Sequence, residues 1–594
     1  MSTNEKLSSN TGNAFDAKVF RRIVGYAKRY RWQFILTTIA AVVLSALATV
    51  RPLILIKAVN HYIAPKDQSG LLLMIVLMLV VLLFETIFQF IFVYSANWLG
   101  QHIIKDIRLQ VFKQIIHFRM VYFNHASVGR LVTRVVNDLE TIAQFFSQGL
   151  FMIVSDLLKM LVVIIAMFII NWRLALIALS VLPVLLWFTR YFQLGIKKSF
   201  QEVRSQVANL NSFVQERISG MSIVQLFTRE SIEYENFKSI NSRYKKANIS
   251  AIWYYSIFFP TVDVLSSIAI GLIVWYGGLN AVIDVSVQPG EIIGFIMMAQ
   301  MLFRPMRQIA DKFNTLQMGI VAGERIFKII DTEERTPRLG KLKADMIKGK
   351  VTFQNVFFNY VPEEKVLKGV SFKVNAGEKL ALVGATGAGK STIINLITRF
   401  YDINQGTIKV DDKDIKAYDL NSLRSNIAMV LQDVFLFSDS IYNNITLGNK
   451  MMKKESVIKA AKAIGIHDFI MSLPGQYDYN VHERGAMLST GQRQLIAFLR
   501  AYVSNPKILI LDEATSSIDT HAEQLIQKAM DKITEARTSI IIAHRLATIL
   551  KADRILVLDQ GEIVEEGNHQ ELLKIDQGIY KNLYEKQFLK LEET

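Results

Sequence analysis

Lys379-Leu380-Ala381-Leu382-Val383 runs without a break into Gly384-Ala385-Thr386-Gly387-Ala388-Gly389-Lys390-Ser391-Thr392, and an apolar helical pattern follows. An apolar strand, a glycine turn and a helix in that order make a P-loop in the setting the motif requires. The glycines let backbone N–H groups turn toward phosphate oxygens at a helix N-terminus. Lys390 adds a point charge for the β- and γ-phosphates, and Ser391 a hydroxyl for magnesium. Farther along, Lys507-Ile508-Leu509-Ile510-Leu511 ends in Asp512-Glu513. Alone, that run is a buried strand with a polar end. Downstream of a P-loop it delivers Asp512 to magnesium, and Glu513 to the water that attacks the γ-phosphate.

Around this motif the chain reads as a soluble α/β domain. Short alternating runs such as Val351-Thr352-Phe353 and Val370-Ser371-Phe372-Lys373-Val374 precede the P-loop and predict strands. Before them, the charged stretch from Asp331 to Gly349, with Pro337 and Gly340, reads as a linker.

Upstream of the linker the composition changes. Hydrophobic residues make up 51% of the chain and the mean hydropathy is +0.26, more than soluble cores require. Apolar stretches near 33–57, 71–98, 142–170, 173–195, 251–278 and 290–318 each approach the roughly 20 helical residues that cross a bilayer. Asn171-Trp172-Arg173 forms the turn between the third and fourth. Arg304-Pro305 and Arg307 interrupt the sixth.

Basic residues set the orientation. They gather in the first 31 residues, after span two (Lys105, Arg108, Lys113, Arg119, Arg130, Arg134) and after span four (Lys197, Lys198, Arg204, Arg217), whereas the opposite connections hold little beyond Lys66, Asp67, Arg173, Asp284 and Glu291. Lysine and arginine collect on the cytoplasmic side, so both termini are expected there. The net charge of +16 is then a property of cytoplasmic segments and needs no nucleic acid. The chain holds no cysteine, which excludes disulfides, thiolate metal sites and a thiol nucleophile. The N-terminal residues lack the apolar core of a cleaved signal, and read as a tail leading into an elbow helix. The stretches 99–141 and 196–250 are amphipathic and predict helices that continue beyond the bilayer.

Charges inside the spans are costly and need partners or water. Arg51 and Glu85 fall at similar depth and predict an ion pair between spans one and two. Asp156 and Lys159, three residues apart on one helical face, predict a pair with each other. These residues and Asp263 either fix packing or form the polar wall of a cavity, and the sequence leaves both readings open. Phe84, Phe88, Phe90, Phe145, Phe146, Met297 and Met298 suit a greasy cavity or ordinary packing equally.

Between the two nucleotide elements lies Leu488-Ser489-Thr490-Gly491-Gln492, preceded by Glu483-Arg484-Gly485. Together with the P-loop and Asp512-Glu513, this resembles the ATP-binding-cassette (ABC) transporters, specifically exporter-type half-transporters, from about residue 18 onward. Leu302-Phe303-Arg304-Pro305-Met306-Arg307 and its extension look most like multidrug-exporter subunits, above all the catalytically complete subunit of bacterial heterodimeric exporters. The resemblance implies an all-α six-helix transmembrane domain of the ABC exporter type fused to an α/β P-loop NTPase domain. The expected boundaries are 1–31 tail and elbow, 32–330 transmembrane domain, 331–349 linker and 350–594 cassette.

The same resemblance implies site roles. Gln432 matches the Q-loop and a magnesium contact beside Ser391 and, through a water, Asp512. Ser516-Ser517-Ile518-Asp519 matches the D-loop, His544 the switch histidine that works with Glu513, and Tyr360 the aromatic that stacks on adenine. Ser489, Gly491 and Gln492 would face the nucleotide held by the P-loop of a partner chain. Regions near Tyr122 to Arg130 and Phe213 to Gly220 resemble coupling helices, the second seated in the partner's cassette. ATP and Mg2+ as cofactors, a second half-transporter, membrane lipids and a small amphipathic substrate as partners, and multi-pass residence in the cytoplasmic (inner) membrane are all implied. The expected function is ATP-driven export of amphipathic small molecules, drugs or lipids by alternating access. Other readings are a dedicated peptide exporter, disfavoured by the short cysteine-free N-terminal region, and an ATP-gated channel or regulatory subunit, disfavoured by Glu513. A DNA-associated ATPase is excluded by the apolar spans.

Overall fold

The computed structural model describes residues 16–283, 287–338, 340–512, 520–543 and 545–587. They form two compact units, one of 1–116 and 127–333, the other of 117–126 and 334–594.

The first unit is helical. Helix α1 (Ala17–Tyr26) begins where the Asp16 carboxylate accepts from the Lys18 and Val19 N–H groups, a cap that satisfies donors the helix leaves open. It is amphipathic and docks through Ile23, which is fully buried. The Arg22 guanidinium donates to both Asp331 oxygens at 2.6 and 2.7 Å and lies 4.1 Å from the Phe327 ring. The long helices are α2 (Arg31–Ala58), α3 (Gln68–Ile115), α4 (Val128–Ile170), α5 (Trp172–Ser219), α6 (Glu230–Ile283) and α7 (Pro289–Asp331).

Five helical stretches, Ala17–Ile63, Gln68–Ile115, Val128–Ile170, Trp172–Ser219 and Glu230–Val282, are long and apolar enough to cross a membrane. The chain is a multi-pass membrane protein. The sixth apolar stretch lies within α7, which is 43 residues long but is not among those five. The turn between α4 and α5 is a single extended residue, Asn171, whose side chain caps α5 by accepting from Leu174 N–H. The amphipathic extensions are helical as expected, with α3 running to Ile115, α5 to Ser219 and α6 starting at Glu230.

Packing in this unit separates the greasy residues into two kinds. Phe145, Phe146 and Met298 are fully buried core residues, whereas Phe84 and Phe90 are exposed. The expected pair between Arg51 and Glu85 is present, Nη1 to Oε2 at 3.3 Å. The expected pair between Asp156 and Lys159 is not: Asp156 is bonded to Lys312 of α7. Spacing along one helix identifies neighbours on a face, but here a lysine from another helix reaches the carboxylate instead.

The second unit contains two sheets. A four-stranded antiparallel sheet has the order β2 (Lys365–Val374), β1 (Val351–Asn359), β4 (Gln405–Val410), β5 (Lys413–Asp414). A six-stranded sheet has the order β10 (Glu562–Gly567), β9 (Arg554–Asp559), β3 (Lys379–Gly384), β8 (Thr538–Ile542), β7 (Ile508–Asp512), β6 (Ile427–Val430). Strands β9, β3, β8, β7 and β6 are parallel. Ile508 to Leu511 and Thr538 to Ile542 are buried throughout, the unbroken apolar pattern of strands covered on both faces. Segment 117–126 belongs to this unit: Arg119 N–H donates to the Glu334 carbonyl at 2.9 Å, and Phe118 bridges Arg335.

Candidate nucleotide site

Parallel strands aim their carboxyl ends at one edge of a sheet, where α/β folds bind ligands. Four of the strands end there with site residues. Strand β3 passes into the P-loop, β6 is followed by Gln432, β7 ends at Asp512, and β8 leads toward position 544. The pairings Val430 with Leu511 and Asp512 with Ile542 hold these ends level. Glu513, Ser516 to Asp519 and His544 lie outside the described residues.

The P-loop backbone explains its own sequence. Gly389 sits at φ 103°, in the left-handed region, immediately before helix α8 (Lys390–Ile397). At Gly384 (φ 153°) an added Cβ would lie 2.2 Å from the Leu558 carbonyl oxygen of β9. No side chain fits there, so the loop lies close against the sheet edge. The Lys390 ammonium donates to the carbonyls of Gly384 and Ala385 at 2.6 and 2.9 Å, closing the loop on itself. Burial pushes its pKa down and the Asp512 charge pushes it back up. Burial of the ammonium favours taking up a polyphosphate, whose charge adds to the partial compensation that Asp512 gives. The residues therefore fit a nucleotide.

Tyr360 follows β1 and is 40% exposed. Its hydroxyl lies 3.2 Å from Thr392 Oγ1 and accepts from Asn395 Nδ2 at 3.5 Å, tying it to α8. Tyr401 packs edge-on against it at 5.0 Å, and Asn124 donates to the Tyr401 hydroxyl. Asn124 lies on the short helix Met120–His125. Tyr401 and Asn395 had no motif to mark them. The cue in the sequence was the aromatic pair Phe400-Tyr401 closely following the P-loop helix.

Ser489 caps helix α9 (Thr490–Val503). Its hydroxyl accepts from Gln492 N–H at 3.2 Å, and the Gln492 side chain accepts from Ser489 N–H at 2.9 Å. This reciprocal capping box presents the positive end of a helix. Gly491 is buried within the first turn. Among the described residues no hydrogen bond joins 489–492 to the P-loop of the same chain. The second expected coupling segment, Phe213 to Gly220, is the last part of α5 and its cap, and the short helix Met221–Leu226 follows it, with Ile218, Leu226 and Phe227 exposed.

A helical membrane unit and a P-loop α/β unit in one chain define an ATP-driven membrane transporter. The family model described as "ABC transporter transmembrane region" matches residues 34–306, and that described as "ABC transporter" matches 367–516. "Uncharacterized ABC transporter ATP-binding protein YknV" of Bacillus subtilis is 35% identical over 96% of this chain and 94% of its own length. "Putative multidrug export ATP-binding/permease protein YgaD" of the same organism is 35% identical over 95% of this chain and 99% of its own length. "ATP-dependent lipid A-core flippase" of Syntrophus aciditrophicus is 33% identical over 96% of this chain and 94% of its own length. The chain belongs to the ABC transporter family, and it is an ATPase coupled to transport.

Proposed function

We propose that this chain is one half of an exporter that uses ATP hydrolysis to move amphipathic compounds, drugs or lipids out of the cytoplasmic leaflet or cytosol. The observation that carries the reading is the union, in one chain, of a self-closed P-loop at a sheet edge with long apolar helices. The names of the relatives, multidrug export and lipid A-core flipping, support this substrate class. The transmembrane domain spans 32–330 with α7 as the sixth crossing, after a tail and elbow at 1–31. The linker is 331–349 and the cassette 350–594. Both termini and the cassette lie in the cytoplasm at the inner membrane, a reading that the placement of the basic residues supports.

ATP lies between the P-loop of one chain and the signature of its partner. Ser489 and Gly491 contact the γ-phosphate, and Gln492 holds Ser489 in place through the capping box. Residues 384–392 cradle the phosphates and Tyr360 stacks on the adenine. Ser391, Gln432 and, through a water, Asp512 hold Mg2+, which neutralises charge on the phosphates. Glu513 orients and deprotonates the attacking water, and His544 supports the same step. The turn at the end of the Phe213 to Gly220 segment seats in the partner's cassette, which would cover the exposed apolar Ile218 and those of the short helix Met221–Leu226 that follows.

Proteoliposomes containing the chain test this. ATP-dependent movement of a fluorescent phospholipid or amphiphilic dye is expected, and equal movement by wild type and Glu513→Gln would contradict it. In this cysteine-free chain, cysteines placed at Gly220 and Gln432 should crosslink between chains. Exclusively intrachain products would contradict the exchanged arrangement.

A further inference from the structure

Helices α2, α3, α4 and α7 bring six charged residues together in the membrane unit: Arg51, Glu85, Asp156, Lys159, Arg304 and Lys312. Two pairs are made, Arg51 with Glu85 and Lys312 with Asp156. Lys159 makes no ion pair or hydrogen bond among the described residues. The charges within electrostatic range of its ammonium are Glu85, Asp156, Arg304 and Arg51. Both carboxylates are already committed to other cations, so the cluster carries more positive than negative charge. Arg51 adds a buried Nε–H with no acceptor. An uncompensated cation in a membrane span is expensive, and a structure that keeps one is short of an anion.

Lys159 and Lys312 border a cavity of about 210 Å3 that Ser45, Glu85, Gln89 and Asp156 also line, with Phe92 and Met152 on its apolar wall. A whole drug-sized ligand needs about 300–1,000 Å3, so this cavity accommodates a headgroup and leaves the tail outside. Counting about 1.5 Å per residue from the ends of α2, α3 and α4 near residues 63, 68 and 170 puts Arg51, Glu85, Asp156 and Lys159 about 17–26 Å along their helices. In an apolar slab about 30 Å thick, with the orientation proposed above, that depth approaches the cytoplasmic leaflet.

We infer that this cavity binds the anionic headgroup of an amphiphile taken from the cytoplasmic leaflet, with Lys159 as its charge partner. Arg51 and Lys312 stand beside it, each held in place by its own carboxylate. Gln89 offers a polar contact to the headgroup, and the tail follows the apolar wall. This rests on the export reading only for orientation and for the fate of the bound molecule.

The test is equilibrium binding of radiolabelled dodecyl phosphate to the full chain in phosphatidylcholine nanodiscs, without nucleotide and above protein-free discs. Wild type is expected to prefer dodecyl phosphate over dodecylphosphocholine by at least about tenfold, with about a tenfold loss in Lys159→Met and near-normal binding in Lys159→Arg. Equal binding of the two amphiphiles by wild type overturns the inference without recourse to any variant. So does unchanged affinity in Lys159→Met. Displacement by millimolar inorganic phosphate would make this a site for free anions and overturn the amphiphile assignment. Because no hydrolysis is read, a chain that fails to transport leaves the inference standing. A chain that transports but shows no preference sinks the inference alone.

Discussion

Lys390 and Lys159 both hold an ammonium group largely away from water, and the two units of the chain treat them in opposite ways. Lys390 is 7% exposed and donates to two carbonyls of its own loop, six and five residues before it. Lys159 lies among side chains from four helices and receives no such bonds. Backbone carbonyls within one short loop hold the first cation. The second depends on side chains whose positions are set by helix packing, and its neighbouring carboxylates already serve Arg51 and Lys312. A local motif holds its cation through its own backbone, whereas an assembled cluster depends on how helices pack.

This contrast can be broken at the nucleotide site, starting with the largest effect. Glu513→Gln should lower magnesium-dependent ATP turnover by at least about a hundredfold while ATP still binds, as read by turnover alongside nucleotide retention. Normal turnover would remove Glu513 from its role. Lys390→Ala should weaken ATP binding by about tenfold or more, because the phosphates lose their buried charge partner. Equilibrium binding of a labelled ATP measures it, and unchanged affinity would mean that the backbone alone carries the site. Tyr360→Ala should cost about three- to tenfold in ATP affinity through lost ring contact. A comparable loss for GTP is expected if stacking, which tolerates any base, is the interaction.

The smallest effect sharpens the contrast. Tyr401→Phe keeps the ring packed against Tyr360 but loses the hydroxyl that accepts from Asn124. ATP affinity should change by less than about threefold, because the lost hydrogen bond joins Tyr401 to Asn124 and leaves the ring contact with Tyr360 in place. A tenfold loss would show that Asn124 positions the adenine-facing aromatic.

The sequence disclosed the two sites unequally, for the same physical reason. The P-loop and Asp512 were readable because each sits at the end of a strand that a short apolar run marks, whereas Gln432 was legible only through the family resemblance. The Gly384 and Gly389 requirements followed from a turn that only glycine can make beside β9. The Arg51–Glu85 pair was readable because adjacent antiparallel helices share a depth scale. The partner of Asp156 was not, since α4 and α7 are separated by two long helices and no local spacing connects residues 156 and 312. Tyr401 was missed because a ring that packs against another ring needs no motif. For α7, Arg304 and Pro305 interrupt the apolar pattern on which any count of spans depends.

The most direct test of the central claim, that catalysis needs two cassettes, is magnesium-dependent ATP turnover in lipid nanodiscs sorted to hold one copy of the chain or two. The account predicts turnover in two-copy discs and next to none in one-copy discs that still bind ATP. Equal turnover per chain in both would contradict it, because one P-loop would then be working without a signature from a partner.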